Sequence, residues 1–303
     1  NVKPPFPSQK GLFGKPTVIN NVETLATIAK IMEMGAKEFK KIGTLTSPGT
    51  KTFAVTGRIA NTGLVEVPMG TTLRQVIDEV AGGTTNDDGT VNKKAFKAAQ
   101  IGGPSGGCLT KEHLDLPLDF DSLKGAGAMV GSGGLVVMND KTCMVNVARF
   151  FLEFTQRESC GKCVPCREGT EQMLTMLNDI VEGRATLKTL ENLEDLAKAV
   201  QKASLCALGK TAPNPVLSTL KHFKEEYLAH VVEKRCPAGV CKALARFEID
   251  PAKCKGCGMC KRACPVQAIS GEVGKPHHID PKKCIKCGGC KSTCKFGAVV
   301  TGA

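Results

Sequence analysis

The sequence predicts an α+β multidomain chain, and three observations predict it. A β-rich stretch punctuated by Gly and Asn fills residues 50–135, apolar residues at helical spacing run through residues 141–232, and residues 236–303 form a short Cys-rich module built on a repeat. The length of 303 residues allows about two domains or more. We divide the chain at 1–48 (a linker and helix), 49–138 (a small mixed α+β domain), 139–232 (a helical bundle) and 233–303 (the Cys-rich module).

Residues 1–20 read as a loop, because Pro4, Pro5, Pro7 and Pro16 interrupt any regular pattern. From Asn21 to Met34 the spacing of Leu25, Ile28, Ala29 and Met32 predicts a helix with that face inward, capped by Asn20 or Asn21. Thr52–Thr56 and Gly63–Val67 predict strands. A short helix from Thr72 to Val80 follows, with Thr72 as cap, Leu73, Val76, Ile77 and Val80 inward, and Gly82-Gly83 at its end. Four apolar faces then predict a four-helix bundle. They are Met144, Val147, Ala148, Phe151 and Phe154; Met173, Leu174, Leu177, Ile180 and Val181, with Gly183 as terminator; Leu187, Leu190, Leu193, Leu196 and Val200; and Val216, Leu220, Phe223, Tyr227 and Val231.

Sixteen cysteines dominate the composition. Asn1 to Gln9 lacks the apolar core of a secretory signal, and most cysteines crowd into C-x2-C-x2-C triplets, so metal binding is favoured over a disulfide framework. No run approaches the roughly 18 apolar residues of a membrane span. The formal net charge of +12 raises nucleic-acid binding, but a single Tyr and no Trp leave no stacking platform for a single strand. Residues 236–303 carry 12 Lys and Arg against 4 Asp and Glu, an excess that could offset anionic clusters or steer an acidic partner. A solvated lysine face explains it equally well.

Ile249-Asp250-Pro251-Ala252-Lys253-Cys254 repeats as Ile279-Asp280-Pro281-Lys282-Lys283-Cys284, an offset of 30. Each half continues as a ferredoxin-type motif: Cys254-x2-Cys257-x2-Cys260-x3-Cys264-Pro265, then Cys284-x2-Cys287-x2-Cys290-x3-Cys294-Lys295. Thiolates are soft, anionic donors suited to iron–sulfur clusters, and in such runs the fourth Cys reaches the other cluster. The spacing therefore assigns Cys254, Cys257, Cys260 and Cys294 to one [4Fe–4S] cluster, and Cys284, Cys287, Cys290 and Cys264 to another. Lys295 stands where such runs usually carry Pro, and no ligand is lost. Two zinc knuckles are the alternative.

A third triplet, Cys160, Cys163 and Cys166, lacks a nearby fourth cysteine. Cys206, 40 positions on, can complete a third [4Fe–4S] site if the bundle folds that loop back. The rival is a thioredoxin-like Cys160/Cys163 pair, which leaves Cys166 unused and lacks the βαβ setting. Cys143, Cys236 and Cys241 remain, with His222 and His230 on the last predicted helix. Zinc takes four N or S ligands at structural sites, so Cys143, His222, Cys236 and Cys241 form a candidate set with His230 as rival. Unligated buried cysteines are the other reading, left open here. Cys108 reads as packing within a glycine loop. The glycines from Gly125 to Gly134 precede a strand-like Leu135–Met138 and so fail the context of a dinucleotide loop. His277 and His278 read as surface residues in a turn.

Glu158 to Gly169, around the third triplet, resembles the iron–sulfur signature of the flavin-bearing, NADH-oxidising subunit of respiratory complex I. The opening from Pro5 to Thr24 is similar to the segment that follows that subunit's flavin domain. Residues 50–107 resemble its ubiquitin-like β-grasp domain, and 141–230 its cluster-bearing bundle. The ferredoxin-type tail resembles the version found in soluble, multimeric, bifurcating iron hydrogenases. The resemblance implies electron transfer in a cytoplasmic NAD(P)H-linked oxidoreductase, with three [4Fe–4S] clusters and zinc at the junction set. FMN and NAD(P) are implied only with an N-terminal region that this sequence lacks, so the chain alone is expected to lack NADH activity. Asn20, Asn21 and Leu208 are implied FMN contacts. Implied partners are a thioredoxin-like [2Fe–2S] subunit, a large iron–sulfur or hydrogenase subunit, and soluble ferredoxin, with no nucleic acid. A complex I or formate dehydrogenase subunit is the alternative within the family, and a zinc-filled nucleic-acid-binding module the alternative outside it.

Overall fold

The computed structural model describes residues 5–302, with 301 and 302 described by backbone alone. The chain forms two compact units, one of Asn1–Asp140, Phe151–Glu171 and Ala197–Ser218, the other of Lys141–Phe150, Gln172–Leu196 and Thr219–Ala303.

In the first unit, helix α1 (Val22–Met34) is capped by Asn21, whose Oδ1 accepts the Thr24 N–H at 3.2 Å. Its packing face differs from the predicted one. Leu25, Ile28 and Met32 are exposed, whereas Glu23, Thr27 and Ile31 are half-buried. An ion pair sets this rotation: Glu23 accepts from the largely buried Lys51 Nζ and from the Thr52 N–H at 3.2 Å. A short α2 (Ala36–Phe39) leads into a five-stranded sheet of order β2-β1-β5-β3-β4. Its strands are β1 (Thr50–Gly57), β2 (Gly63–Pro68), β3 (Phe96–Ile101), β4 (Gly107–Thr110) and β5 (Gly134–Asn139). The β1–β5 pair is parallel and the other pairs are antiparallel.

The predicted helix after Thr72 is wound as a π-helix over Gln75–Val80. Thr72 Oγ1 accepts the Gln75 N–H, and Gln75 Oε1 accepts the Thr72 N–H in return. Leu73, Val76 and Ile77 join the sheet's core, but the wider winding turns Val80 out to solvent. Cys108 lies in β4 rather than in a glycine loop, and its N–H donates to Ser218 Oγ at 3.3 Å. Helix α3 (Phe120–Gly125), capped by Asp119, buries Leu123 in the same core.

The longest helices are α4 (Met144–Glu158), α5 (Val164–Val181) and α6 (Leu187–Ala203). They bury Met144, Ala148, Phe151 and Leu152, then Met173, Leu177 and Ile180, then Leu190, Leu193, Ala197 and Val200. Phe154 is exposed, since the buried stripe of α4 runs through Val145 and Leu152 instead. Gly183 adopts φ +79 just past α5. The predicted fourth helix is two, α8 (Asn214–His222) and α9 (Lys224–Val231), broken at Phe223 and preceded by the single turn α7 (Ala207–Thr211).

The Cys-rich module has two strand pairs, β6 (Arg246–Ile249) with β9 (Val299–Gly302) and β7 (Ile269–Ser270) with β8 (His278–Ile279), all antiparallel. After each triplet comes a short helix, α10 (Met259–Arg262) or α11 (Gly289–Thr293), entered through a left-handed glycine, Gly258 or Gly288. Ile269, Ile279 and Val299 pack against Cys260 and Cys290 in a small core shared by both halves.

Candidate metal centres

Two cavities in the Cys-rich module have cysteine walls. Cys254, Cys257, Cys260 and Cys294 line one, together with Ile249, Phe296 and Val299. Cys264, Cys284, Cys287 and Cys290 line the other, with Val266, Ile269 and Ile279. Each cavity thus takes three cysteines from one half of the repeat and the fourth from the other half. Burial raises the Cys260 thiol, and the nearby charges of Cys254, Cys257 and Cys294 raise it further. Burial likewise raises Cys290, beside Cys284 and Cys287. Thiols pushed up in this way are mutually repelling as anions, and a bound cation removes that repulsion. Burial also works against the Cys294 thiolate, but backbone N–H groups of residues 296–299 outweigh it and lower the thiol. The Ala268 N–H donates to Cys264 Sγ at 3.2 Å and the Lys286 N–H to Cys284 Sγ at 3.4 Å. Four sulfurs around an apolar cavity, with backbone N–H groups turned to them, are the donor set a [4Fe–4S] cube requires.

In the first unit Cys160, Cys163, Cys166 and Cys206 come together. Cys166 sits in the first turn of α5, buried, and its thiol is raised by that burial and by the charges of Cys163, Cys206 and Cys160. A backbone hydrogen bond from Leu205 lowers Cys163 and ties the Cys206 loop to the triplet. Gly209 allows the approach, because a Cβ there would lie 2.6 Å from Ser204 Cβ and 3.0 Å from Cys166 Cβ. Ser159 Oγ contacts Cys166 Sγ at 3.3 Å, and Thr170 Oγ1 donates to the Cys166 carbonyl at 2.6 Å. The N-terminus of an 18-residue helix beside these thiolates favours their anionic form.

A fourth group lies in the second unit. Cys143, His230, Cys236 and Cys241 are all buried, and their ligand atoms lie within 4.8 Å of one another. Cys143 Sγ is 3.8 Å from Cys241 Sγ, and each is 3.4 Å from His230 Nε2. Tetrahedral zinc, with Zn–S near 2.3 Å and Zn–N near 2.0–2.1 Å, has S···S edges of about 3.8 Å and S···N edges of about 3.5 Å. Burial opposes the imidazolium of His230, yet hydrogen bonding to Cys143 and Cys236 lifts its pKa to about 10, and hydrogen bonding to Cys143 and Cys241 pulls Cys236 far down. The histidine in this group is His230, not His222. The break at Phe223 separates the two, and His222 lies half-buried at the end of α8.

Among the residues assigned to a flavin, Asn20 is exposed, Asn21 caps α1 and Leu208 is half-buried in α7. His277 departs from the surface reading: it is 5% exposed and lines the cavity of Cys254, Cys257, Cys260 and Cys294. The signal that could have found it is the repeat itself, which places His277 opposite Phe247, an apolar position.

Comparison with known proteins finds matches to the regions that hold the cysteine triplets. Residues 146–230 match the NADH-ubiquinone oxidoreductase-F iron-sulfur binding region, 52–109 an SLBB domain and 246–295 a 4Fe-4S dicluster domain. The chain is 52% identical over 275 residues to the NADP-reducing hydrogenase subunit HndC of Solidesulfovibrio fructosivorans, covering 91% of this chain and 55% of that protein. It is 44% identical over 236 residues to an NADH-quinone oxidoreductase subunit of Rhizobium meliloti, covering 78% and 55%. The crystal structure of an NAD+-reducing [NiFe]-hydrogenase in the H2-reduced state aligns with a TM-score of 0.65 and 36% identity, over 76% of this chain and 38% of that one. The chain spans about half the length of the curated relatives it matches. The chain thus carries an iron–sulfur binding region, an SLBB domain and a dicluster domain, and corresponds to the iron–sulfur-bearing part of the NADH-oxidising subunits of complex I-like enzymes, with homologues in NAD(P)-linked hydrogenases and in NADH-quinone oxidoreductases.

Proposed function

We propose that this chain is the electron-relay part of a cytoplasmic NAD(P)H-linked oxidoreductase, within a multimeric hydrogenase. The observation that carries the proposal is the gathering of twelve cysteines into three sets of four, two of them crossed between the halves of a repeat. Bound in these sets, [4Fe–4S] clusters would supply one-electron transfer steps. The chain's own residues bury Cys166, Cys260 and Cys290 and aim backbone N–H groups at Cys163, Cys264, Cys284 and Cys294. Cys143, His230, Cys236 and Cys241 would hold a structural zinc that joins α9 to the start of the Cys-rich module.

Residues 49–138, whose sheet has the order β2-β1-β5-β3-β4, would form a β-grasp domain, and the helices of 139–232 a cluster-bearing bundle. FMN and NAD(P) would be held largely by the portion of the relatives' length that this chain does not span, with Asn20, Asn21 and Leu208 contributing to FMN. A thioredoxin-like [2Fe–2S] subunit and a large iron–sulfur or hydrogenase subunit are the proposed partners, with soluble ferredoxin as a further electron carrier. The hydrogenase reading is favoured over respiratory complex I because the likeness to the hydrogenase subunit extends over 91% of the chain, against 78% for the quinone-reducing relative.

Anaerobic purification with iron, acid-labile sulfide and zinc analysis tests the proposal. About twelve irons and twelve sulfides per chain, with EPR signals on reduction, are expected. A colourless chain that holds only zinc would refute it and support a zinc-filled binding module.

A further inference from the structure

The two cysteine-walled cavities of the tail are related residue by residue through the 30-residue offset. Ile249 pairs with Ile279, Gly258 with Gly288, Phe296 with Val266, and Phe247 with His277. Both members of each pair wall their respective cavities. Phe247 and His277 hold the same place: each reaches across to the cysteine loop of the other half and lies against its left-handed glycine. A Cβ built on Gly258 would sit 3.9 Å from His277 Nε2, and one on Gly288 would sit 3.7 Å from Phe247 Cζ.

His277 is built into this position. Its Nδ1 donates to the Lys275 carbonyl at 3.2 Å, and Gly271 leaves the ring its room, since a Cβ there would meet His277 Cγ at 2.7 Å. The wall position of Lys255 is likewise taken by Ile285 on the other side. One cavity therefore carries an imidazole where its twin carries a phenyl ring, and an exposed lysine where its twin carries a branched alkyl chain. Lys286, which replaces Gly256, does not restore the balance, because its ammonium donates to the Ala243 carbonyl.

We infer that His277 makes the two tail clusters unequal in potential. The inference rests on the cluster reading above. Reduction adds negative charge to a group that is already anionic. The dipole of an imidazole held by its Nδ1–H bond acts on that charge at one cavity, whereas the phenyl ring of Phe247 offers no such dipole at the other.

The test is a potentiometric titration, followed by EPR, of the anaerobically prepared 303-residue chain and its His277→Phe, His277→Gln and Phe247→His variants, with iron and sulfide measured on each. Two different tail potentials are expected in the parent chain. His277→Phe should move the potential of the cluster of Cys254, Cys257, Cys260 and Cys294 and leave the other in place. Phe247→His should move that of Cys264, Cys284, Cys287 and Cys290 instead. His277→Gln, which keeps a hydrogen-bonding side chain, should retain most of the parent potential. Unchanged potentials in His277→Phe and Phe247→His, with full iron and sulfide, overturn the inference. So does a His277→Gln variant that behaves as Phe, because the effect would then come from lost packing rather than polarity. Absence of acid-labile sulfide from the parent chain refutes the cluster reading instead.

Discussion

The backbone carbonyl of Glu226 accepts the Nδ1–H of His230 at 2.7 Å, one helical turn away on α9. That bond fixes the tautomer and leaves Nε2 free to face Cys143 and Cys241. The carboxylate of the same residue accepts the Met144 N–H at 3.2 Å, next in sequence to Cys143. Glu226 thus steadies two members of the four-residue group at once.

Zinc content should distinguish the two histidines. His230→Ala is expected to abolish stoichiometric zinc, whereas His222→Ala should retain it. Elemental analysis of the purified variants reads the difference. Glu226→Ala removes the carboxylate on the Met144 N–H but keeps the carbonyl that orients His230, and should weaken zinc affinity far less than His230→Ala.

Removing the zinc should expose a group whose charge state depends on pH. In the metal-free chain the pKa of His230 stands near 10, above its ordinary 6.5. The raised His230 imidazolium contributes stability that is whole below about 6.5 and lost as pH rises through 10, and the lowered Cys236 thiol offsets that change below its ordinary 9.0, so the loss is read from 9.0 to about 10. Chelator-treated protein should unfold at lower denaturant as pH is raised across that window, and zinc-loaded protein should change far less.

Crossed ligation predicts a crossed phenotype. Cys264→Ser alters the first half of the repeat, yet it should disturb the cluster of Cys284, Cys287 and Cys290. Cys294→Ser should disturb the cluster of Cys254, Cys257 and Cys260. EPR of the reduced variants checks which signal is lost; a loss confined to the mutated half would contradict the crossing.

Gly209→Ala should damage the third site alone. The added methyl meets Ser204 and Cys166 at 3.0 Å or less, an overpacking that typically costs about 1–3 kcal/mol. It also presses on the loop through which Leu205 bonds to Cys163. Iron content should fall by about four per chain, with the tail clusters intact.

Acid should loosen α1. Although burial works against its charge, Glu23 is held below its ordinary pKa of 4.5 by Lys51 and the Thr52 N–H. A depressed carboxylate contributes stability above 4.5 that is lost as pH falls through its folded value. Glu23→Gln leaves the buried Lys51 without its anion and should cost about 1–3 kcal/mol, measured by denaturation near neutral pH. The difference between the two chains should shrink below pH 4.5.

Cysteine spacing was informative about the sites because three ligands within seven residues can hardly avoid sharing one loop. The repeat was informative about the tail because two like halves must share a core. Spacing said less about Cys206, whose approach depends on Gly209 having no side chain, and less still about the choice between two histidines eight positions apart. The break at Phe223 decides that choice, and nothing in a periodicity of apolar residues announces it. Periodicity likewise gives α1 an apolar stripe without saying what covers it. Glu23 and Lys51, 28 positions apart, turn Leu25, Ile28 and Met32 outward instead. Val80 escaped for a related reason, since a π-helix advances fewer degrees per residue than the α-helix assumed.

The exchange of the fourth sulfur between halves has a consequence for biogenesis. Neither motif by itself owns a complete basket, so a nascent chain that has emerged only as far as Cys284 cannot secure either cube. The set of Cys264, Cys284, Cys287 and Cys290 is whole once Cys290 has emerged, and that of Cys254, Cys257 and Cys260 waits four residues more for Cys294, so both baskets close only at the very end of synthesis of the module.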